Sequence, residues 1–210
     1  AVQVRQRGIP VVLVDRAAGV DGFCTVGADD IEGGRLAIAH LLEQGHRRVA
    51  VIGGPGTLAQ VRDRRRGAEI AMQMVPGASL LVVSTELLDV EWGKRAASEL
   101  LMLPDDERPT AAFALNDLLA IGLLQGFTLA GVRVPEEMAI VGYDDIAFAA
   151  AAAVPLSSVR QPRTALGASA AELLFAEIRA SETEAPHEHR AVRMTPELIV
   201  RQSSAYQIVT

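Results

Sequence analysis

The feature that most constrains this chain is a regular change of hydrophobic period along its length. Short runs rich in branched and small apolar residues fall at 10–15, 49–53, 80–84, 111–115, 138–143 and 198–200, each short enough for a strand buried on both faces. Between most of them lie longer segments with helical spacing, at 32–44, 58–74, 90–103, 117–130 and 164–180. In the first of these, Ile38, Leu41 and Leu42 share one face, Asp30 stands where an N-cap belongs and Gly45 follows the end. Gly131 and Pro135 close the fourth helix in the same way. Strand and helix in alternation is βαβ grammar, and it calls for parallel sheets covered by helices. The predicted class is therefore α/β. There is no repeat at solenoid periods, and low complexity is confined to the alanine-rich stretch 147–153.

With 210 residues, half of them apolar, the chain can bury one core or two small ones. Its longest apolar stretches, 147–154 and 78–83, fall far short of the roughly 20 residues a membrane span needs. No secretory pattern opens the sequence, so the cytoplasm is the expected compartment. Cys24 has no second cysteine to pair with. In the context Phe23-Cys24-Thr25-Val26 it reads as buried strand rather than as a reactive thiol. A net charge of −6 argues against extensive phosphate contact, so any grip on DNA must come from elsewhere.

The helix beginning at Asp117 is apolar nearly all round, with Leu118, Leu119, Ile121, Leu123, Leu124, Phe127 and Leu129. One sheet contact does not require that. A second subunit is the expected reason, with Leu118, Ile121 and Leu124 at a dimer interface; burial within its own domain is the alternative. The run Ala185-Pro186-His187-Glu188-His189-Arg190 reads as a polar surface loop. His187 and His189 lack a third ligand at suitable spacing, so no metal is expected there. Gly53-Gly54-Pro55-Gly56 lacks both the Walker ending and the GxGxxG spacing and reads as a turn for close backbone approach. GxSxG, HExxH and Cys-His pairings are missing too, and neither catalysis nor a cofactor is expected.

Ligands of open parallel sheets bind beyond the carboxyl ends of the strands. The residues there are Asp15, the glycine turn, Ser84-Thr85-Glu86, Asn116-Asp117 and Asp144-Asp145. Carboxylates and an amide suit vicinal hydroxyls or base edges. Of Asp144 and Asp145, adjacent and therefore diverging, one is expected to cap a helix and one to face the cleft. The cluster Arg62-Asp63-Arg64-Arg65-Arg66-Gly67 can turn only some of its arginines inward at helical spacing; an inward guanidinium would offer a planar fork to a ligand.

Several of these segments occur in the order of a known family. Ile9-Pro10-Val11-Val12-Leu13-Val14-Asp15-Arg16, Gly33-Gly34-Arg35, Gly45-His46-Arg47-Arg48-Val49, Arg64 three before Gly67, Ala114-Leu115-Asn116-Asp117, Val134-Pro135-Glu136, Ile140-Val141-Gly142-Tyr143-Asp144-Asp145 and Pro155-Leu156-Ser157-Ser158 together closely resemble the effector domain of LacI/GalR transcriptional regulators. The resemblance implies a type I periplasmic-binding-protein-like fold of two Rossmann-like lobes with ligand in the cleft. The first lobe would take 1–28 with 158–188 and the second 29–157 with 189–210. Matched to the family's ligand contacts, in falling order, are Arg64, Asp144, Asp15, Asn116 and Gln60. Two departures accompany the match: the position at which the family often stacks an aromatic on its ligand is Leu88, with Trp92 displaced beside Gly93, and the family's helix-turn-helix, hinge and early first-lobe strands do not appear, which would leave the first lobe N-terminally incomplete with an exposed sheet edge.

The resemblance thus implies a homodimeric, cytoplasmic repressor-type regulator that senses a sugar-like effector and contacts operator DNA only through a segment not present here. A transporter's solute-binding protein shares the fold, and a cleft hydrolase is a remoter reading. Arg64→Ala is expected, at this level, to abolish effector-induced stabilisation with the fold intact.

Overall fold

The computed structural model describes residues 1–15, 20–183 and 186–205. Arg16 of the first matched motif and Ala185 of the polar run lie outside them. In chain order the elements are α1 (Val2–Arg5), β1 (Val12–Val14), β2 (Cys24–Ala28), α2 (Asp30–Glu43), β3 (Arg48–Gly53), α3 (Ala59–Gln73), β4 (Ser79–Ser84), α4 (Val90–Leu101), β5 (Ala111–Ala114), α5 (Asp117–Leu129), β6 (Ala139–Tyr143), α6 (Ala147–Ala151), β7 (Ser157–Arg160), α7 (Arg163–Glu182), β8 (Ala191–Met194) and β9 (Glu197–Ile199). They form two compact units, Ala1–Asp29 with Gln161–Pro196, and Asp30–Arg160 with Glu197–Thr210.

The first boundary falls one residue beyond that expected, and the other two differ by more. β7 pairs in parallel with β6 and keeps 157–160 in the larger unit, while β8 pairs with β2 and brings 191–194 into the smaller one. Ser-Ser-Val-Arg and Ala-Val-Arg-Met carry too few branched apolar residues to read as strands, whereas β2 is the buried strand expected around Cys24.

The larger unit holds a six-stranded sheet in the order β4-β3-β5-β6-β7-β9, parallel except for β9 against β7. The period of two along each strand sends alternate side chains into two cores. Ala50, Ile52, Ala112, Ala114 and Ile140 pack with Leu100, Leu119, Leu123 and Phe127 of α4 and α5. Val49, Val51, Ala111, Phe113 and Val141 pack with Ile38, Leu41, Val61, Ala68 and Met72 of α2 and α3. The tail is tied down by Ser203, whose hydroxyl donates to the Ile140 carbonyl and accepts from the Ser157 backbone N–H, and by Ser204 against His40 and Ser157.

Helix α5 is apolar all round mainly because its own unit surrounds it. Leu119, Ala120, Leu123 and Phe127 are buried, and so, within this unit, is Leu124, at 4% exposure. Leu118 (41%) and Leu129 (84%) remain exposed and Ile121 is half-buried.

The smaller unit is a parallel three-stranded sheet, β1-β2-β8, crossed by α7. Among the described residues β1 is paired on one side only. Cys24, Val26, Leu166 and Leu173 form its core, with Val12, Ala170, Val192 and Met194 around them. The segment before β8 is not the solvated loop expected of its composition. His187 and His189 lie half-buried against Cys24 and Glu177, because the pairing of Thr25 with Ala191 carries that segment alongside the start of β2. Among the described residues no helix is long and apolar enough to cross a membrane.

Candidate functional site

Chain order in the larger sheet runs outward from β3 in both directions, to β4 on one side and to β5, β6 and β7 on the other. The crevice between the loops after β3 and β5 is thus the topological switch point, where such sheets collect ligands. Helix α3 starts there and buries Val61, Arg64, Gly67, Ala68, Ala71 and Met72, one helical face. Arg64 falls on that face. Its neighbours do not: Arg65 and Arg66 pair with Glu69 at 2.8 and 3.7 Å, and Arg62 donates to the carbonyls of Gly56 and Thr57. Two glycines set the depth of Arg64. A Cβ at Gly34 of α2 would overlap the Arg64 carbonyl, and one at Gly67 would overlap that of Ile31, so the helices meet backbone to backbone. Gly33 makes room for the Tyr143 ring in the same way.

The guanidinium is held on three sides. Nε donates to Asp30 Oδ1 at 2.8 Å, Nη1 donates to the Leu115 carbonyl at 2.7 Å, and its face lies 3.6 Å from the Tyr143 ring centroid. Nη2 stands 3.7 Å from Asp144 Oδ1. Burial disfavours the charge, but the Asp30 and Asp144 carboxylates more than restore it and raise the Arg64 pKa. Burial, with Asp30 adding to it, likewise keeps the Tyr143 phenol protonated. Asp30 is therefore not the cap expected; it is the first residue of α2 and its carboxylate is turned to Arg64.

Asp144 and Asp145 both have positive φ, 101° and 47°. Non-glycine residues adopt that region only when their surroundings impose it. The Val159 carbonyl accepts from the Asp144 N–H, and Ser158 Oγ accepts from that of Asp145. Asp144 keeps its side chain 32% exposed, which makes it the part of this constellation that solvent reaches. Asp145 is buried between Arg160 (2.6 Å) and Arg201 (2.7 Å), and these guanidiniums lower its pKa against the opposing effect of burial. The N-cap of α6 is Ile146, so the expected division into a capping and a cleft carboxylate is replaced by a buried one between two arginines and a partly exposed one beside Arg64.

Beneath them Asp117 is 1% exposed, accepting from Ser158 Oγ at 2.6 Å and from the Ile146 N–H at 2.8 Å. Burial, with the charges of Asp144 and Asp145 adding to it, pushes its pKa up to about 6. Asn116 caps α5: Oδ1 accepts from the Leu119 N–H and Nδ2 donates to the Leu88 carbonyl, both at 2.9 Å. That leaves one amide hydrogen for anything else. Leu88 packs against both cores and stands over Gly54; Trp92 lies against the α4–α5 core with Arg95 over its ring. Gln60 is half-buried in the first turn of α3. Asp15 ends β1 in the smaller unit, exposed, with φ 63°.

Of the five residues expected to meet a ligand, Arg64 and Asp144 are thus in direct apposition, Asn116 caps α5 and Gln60 lies in the first turn of α3 at the same sheet edge, and Asp15 belongs to the other unit. Sequence reasoning missed the group behind them: Asp30, Tyr143, Asp117, Ser158, Arg160 and Arg201. The signal available was a polar residue at a position the apolar period assigns to the interior, as at Asp30, Arg64 and Asp117. Such an arrangement fixes one cation and leaves one carboxylate partly exposed to solvent.

The periplasmic binding protein-like domain family matches residues 38–204. Among curated proteins, the chain is 30% identical over 203 residues to the HTH-type transcriptional repressor PurR of Photobacterium profundum, covering 95% of the chain and 58% of that protein. It is 40% identical over 203 residues to the arabinose metabolism transcriptional repressor of Geobacillus stearothermophilus, covering 93% and 54%. The chain thus spans little more than half the length of these relatives. A solved LacI family transcriptional regulator from Enterococcus faecium with bound ribose superposes with a TM-score of 0.85 at 31% identity, covering 96% of this chain and 73% of that one.

Proposed function

This chain belongs to the periplasmic binding protein-like domain family as it occurs in LacI-type regulators, and from that premise we propose that it is the effector-binding and dimerisation part of a cytoplasmic repressor, sensing a small polyhydroxylated ligand by binding and not by catalysis. The observation that carries the reading is the pairing of a buried, three-way-fixed Arg64 with a half-open Asp144 at the switch point of a parallel sheet. A carboxylate accepting from two vicinal hydroxyls, backed by a fixed cation, is the usual polar clamp for a sugar. Leu88 provides no aromatic face, which favours a compact sugar over a nucleoside; the ribose bound to the Enterococcus faecium regulator points the same way. The relatives are named as repressors, which favours a regulator over a transporter's binding protein. Operator contact in this reading falls to a helix-turn-helix outside the 210 residues, consistent with their net charge of −6. The effector acts by binding two arrangements of the protein with different affinity.

Thermal-shift titration with pentoses, hexoses, polyols and nucleosides tests the site. A pentose-sized sugar is expected to stabilise by about 2.7 kcal/mol at a hundredfold excess over Kd. Asp144→Asn should weaken it at least tenfold, roughly the worth of a charge-assisted hydrogen bond. Equal shifts in wild type and variant would move the site elsewhere, and no response to any carbohydrate would end the sugar reading.

Dimerisation rests on Leu118, Leu129 and Phe148, exposed at 41%, 84% and 72%, and on an apolar groove lined by Ile121, Leu124, Thr128, Leu129 and Ala152. Leu118→Glu is expected to weaken self-association at least tenfold by sedimentation, the effect of desolvating a charge in an apolar contact. An unchanged dimer would place the interface on another face. Leu124 is unsuited to this test because it is core.

A further inference from the structure

We propose that the smaller unit carries a tetrahedral zinc site formed by Cys24, Glu177, His187 and His189. The four donors come from three places in the chain: the first residue of β2, the buried face of α7, and the segment leading into β8. One ligand atom from each lies within 4.8 Å of all the others. Cys24 Sγ is 3.2 Å from His187 Nε2 and 3.7 Å from His189 Nδ1; Glu177 Oε1 is 3.7 Å from the former nitrogen and 3.4 Å from the latter. A zinc ion about 2.0–2.1 Å from nitrogen and oxygen and about 2.3 Å from sulfur needs donors about 3.3–3.6 Å apart at tetrahedral angles. These four separations bracket that range and the remaining two donor pairs lie within 4.8 Å, so the donors need draw together only modestly.

The surroundings agree. Glu177 is 9% exposed and its Oε1 accepts no hydrogen bond, a costly state for a buried carboxylate oxygen that metal ligation would relieve. Its Oε2 accepts from the Val11 N–H at 3.1 Å, which orients the carboxylate from behind as outer-shell partners do. His187 and His189, two residues apart on extended chain, point to the same side. Thiolate, two imidazoles and one carboxylate form a donor set suited to Zn(II) and unsuited to magnesium or calcium. Four protein ligands make the site closed and structural. A cavity of about 440 Å³ lined by Gly8, Pro10, Ser181 and both histidines gives an ion access. His189 must carry its hydrogen on Nε2 when Nδ1 holds the metal, so the exposed Arg5, whose Nη2 now lies 3.0 Å from that nitrogen, would have to give up that contact on metal binding. The ion would clamp β2, α7 and β8 together in the unit with the smaller core.

The test is titration of the 210-residue chain, freed of metal by chelator under reducing conditions, with Co²⁺ and then Zn²⁺. One equivalent of cobalt should give a near-UV thiolate charge-transfer band and the intense visible bands of tetrahedral coordination, bleached by one equivalent of zinc, and zinc should raise Tm. Cys24→Ser should remove the charge-transfer band. His187→Ala and His189→Ala, both at half-buried positions, should each weaken binding at least about a hundredfold, given that loss of an outer-shell partner alone costs up to that much. Circular dichroism reports whether each variant is folded; His189→Ala, the most exposed of the set, keeps the test decisive if Cys24→Ser does not fold. A cobalt spectrum like that of the free aqua ion with no zinc effect on Tm, or unchanged affinity in the folded variants, would overturn the site.

Discussion

Arg64→Ala is expected to cost about 3–5 kcal/mol of folding stability, measured by urea or thermal unfolding in the absence of any ligand. Arg64 is 7% exposed and balances Asp30, itself 8% exposed, at 2.8 Å. Removing the cation leaves that carboxylate buried and uncompensated, opens a hole against Tyr143, and withdraws the donor from the Leu115 carbonyl. The sequence alone suggested a variant with its fold intact and only its ligand response lost; burial of the whole guanidinium reverses that expectation. The double variant Arg64→Ala with Asp30→Ala should be less destabilised than the sum of the two single ones, since the second change removes the orphaned charge. Stability within about 0.5 kcal/mol of wild type for Arg64→Ala would refute the pair as a structural anchor. Asp144, at 32% exposure, is for the same reason the better handle on effector binding.

The second large effect is a pH dependence seated at Asp117. Its pKa rises from an ordinary 3.8 to about 6 on folding, chiefly because burial penalises the charge. A group with a raised folded pKa binds its proton more tightly in the native state, so its contribution is fully present below about pH 4 and is lost as pH rises through about 6. A shift of about two units corresponds to about 3 kcal/mol. Asp117→Asn, with no proton to lose, should abolish that slope between pH 4 and 6.5 and be more stable than wild type relative to its own value at pH 4. Asn can still accept from the Ile146 N–H and donate to Ser158 Oγ, the two partners the carboxylate has now. An identical slope in wild type and variant would assign the dependence to other groups.

The architecture of the larger unit was legible because its determinants are local. Val61, Arg64, Ala68 and Met72 repeat at helical spacing, Gly45 and Gly131 adopt the positive φ that ends a helix, and Val49 to Ile52 alternate between two cores. The strands that escaped notice, β7 and β8, carry polar or small residues whose partners lie elsewhere in the chain: Ser157 and Ser158 of β7 find Ser203, Arg201 and Asp117. In the site, the order of the motifs identified Arg64 and Asp144 but was silent on Asp30 and Tyr143, since which carboxylate meets which guanidinium is not a matter of spacing. The face of α7 that carries Leu166, Ala170 and Leu173 continues to Glu177, an acidic residue in an apolar period that, beside the His187-x-His189 spacing, is the trace of the second cluster in the sequence.

By itself, then, the sequence determined the α/β class, the run of helices and strands in the larger unit, and the edge on which its polar groups gather, because hydrophobic period and helix termini are written within three or four neighbouring residues. The tertiary structure alone decided that Leu124 is core, that Asp145 is buried between two arginines while Asp144 is partly exposed, and that Cys24 stands 3.2 Å from a histidine 163 positions away. Those outcomes depend on which strands pair and in what register, here Thr25 opposite Ala191, and register is a property of two distant segments together that neither one encodes alone.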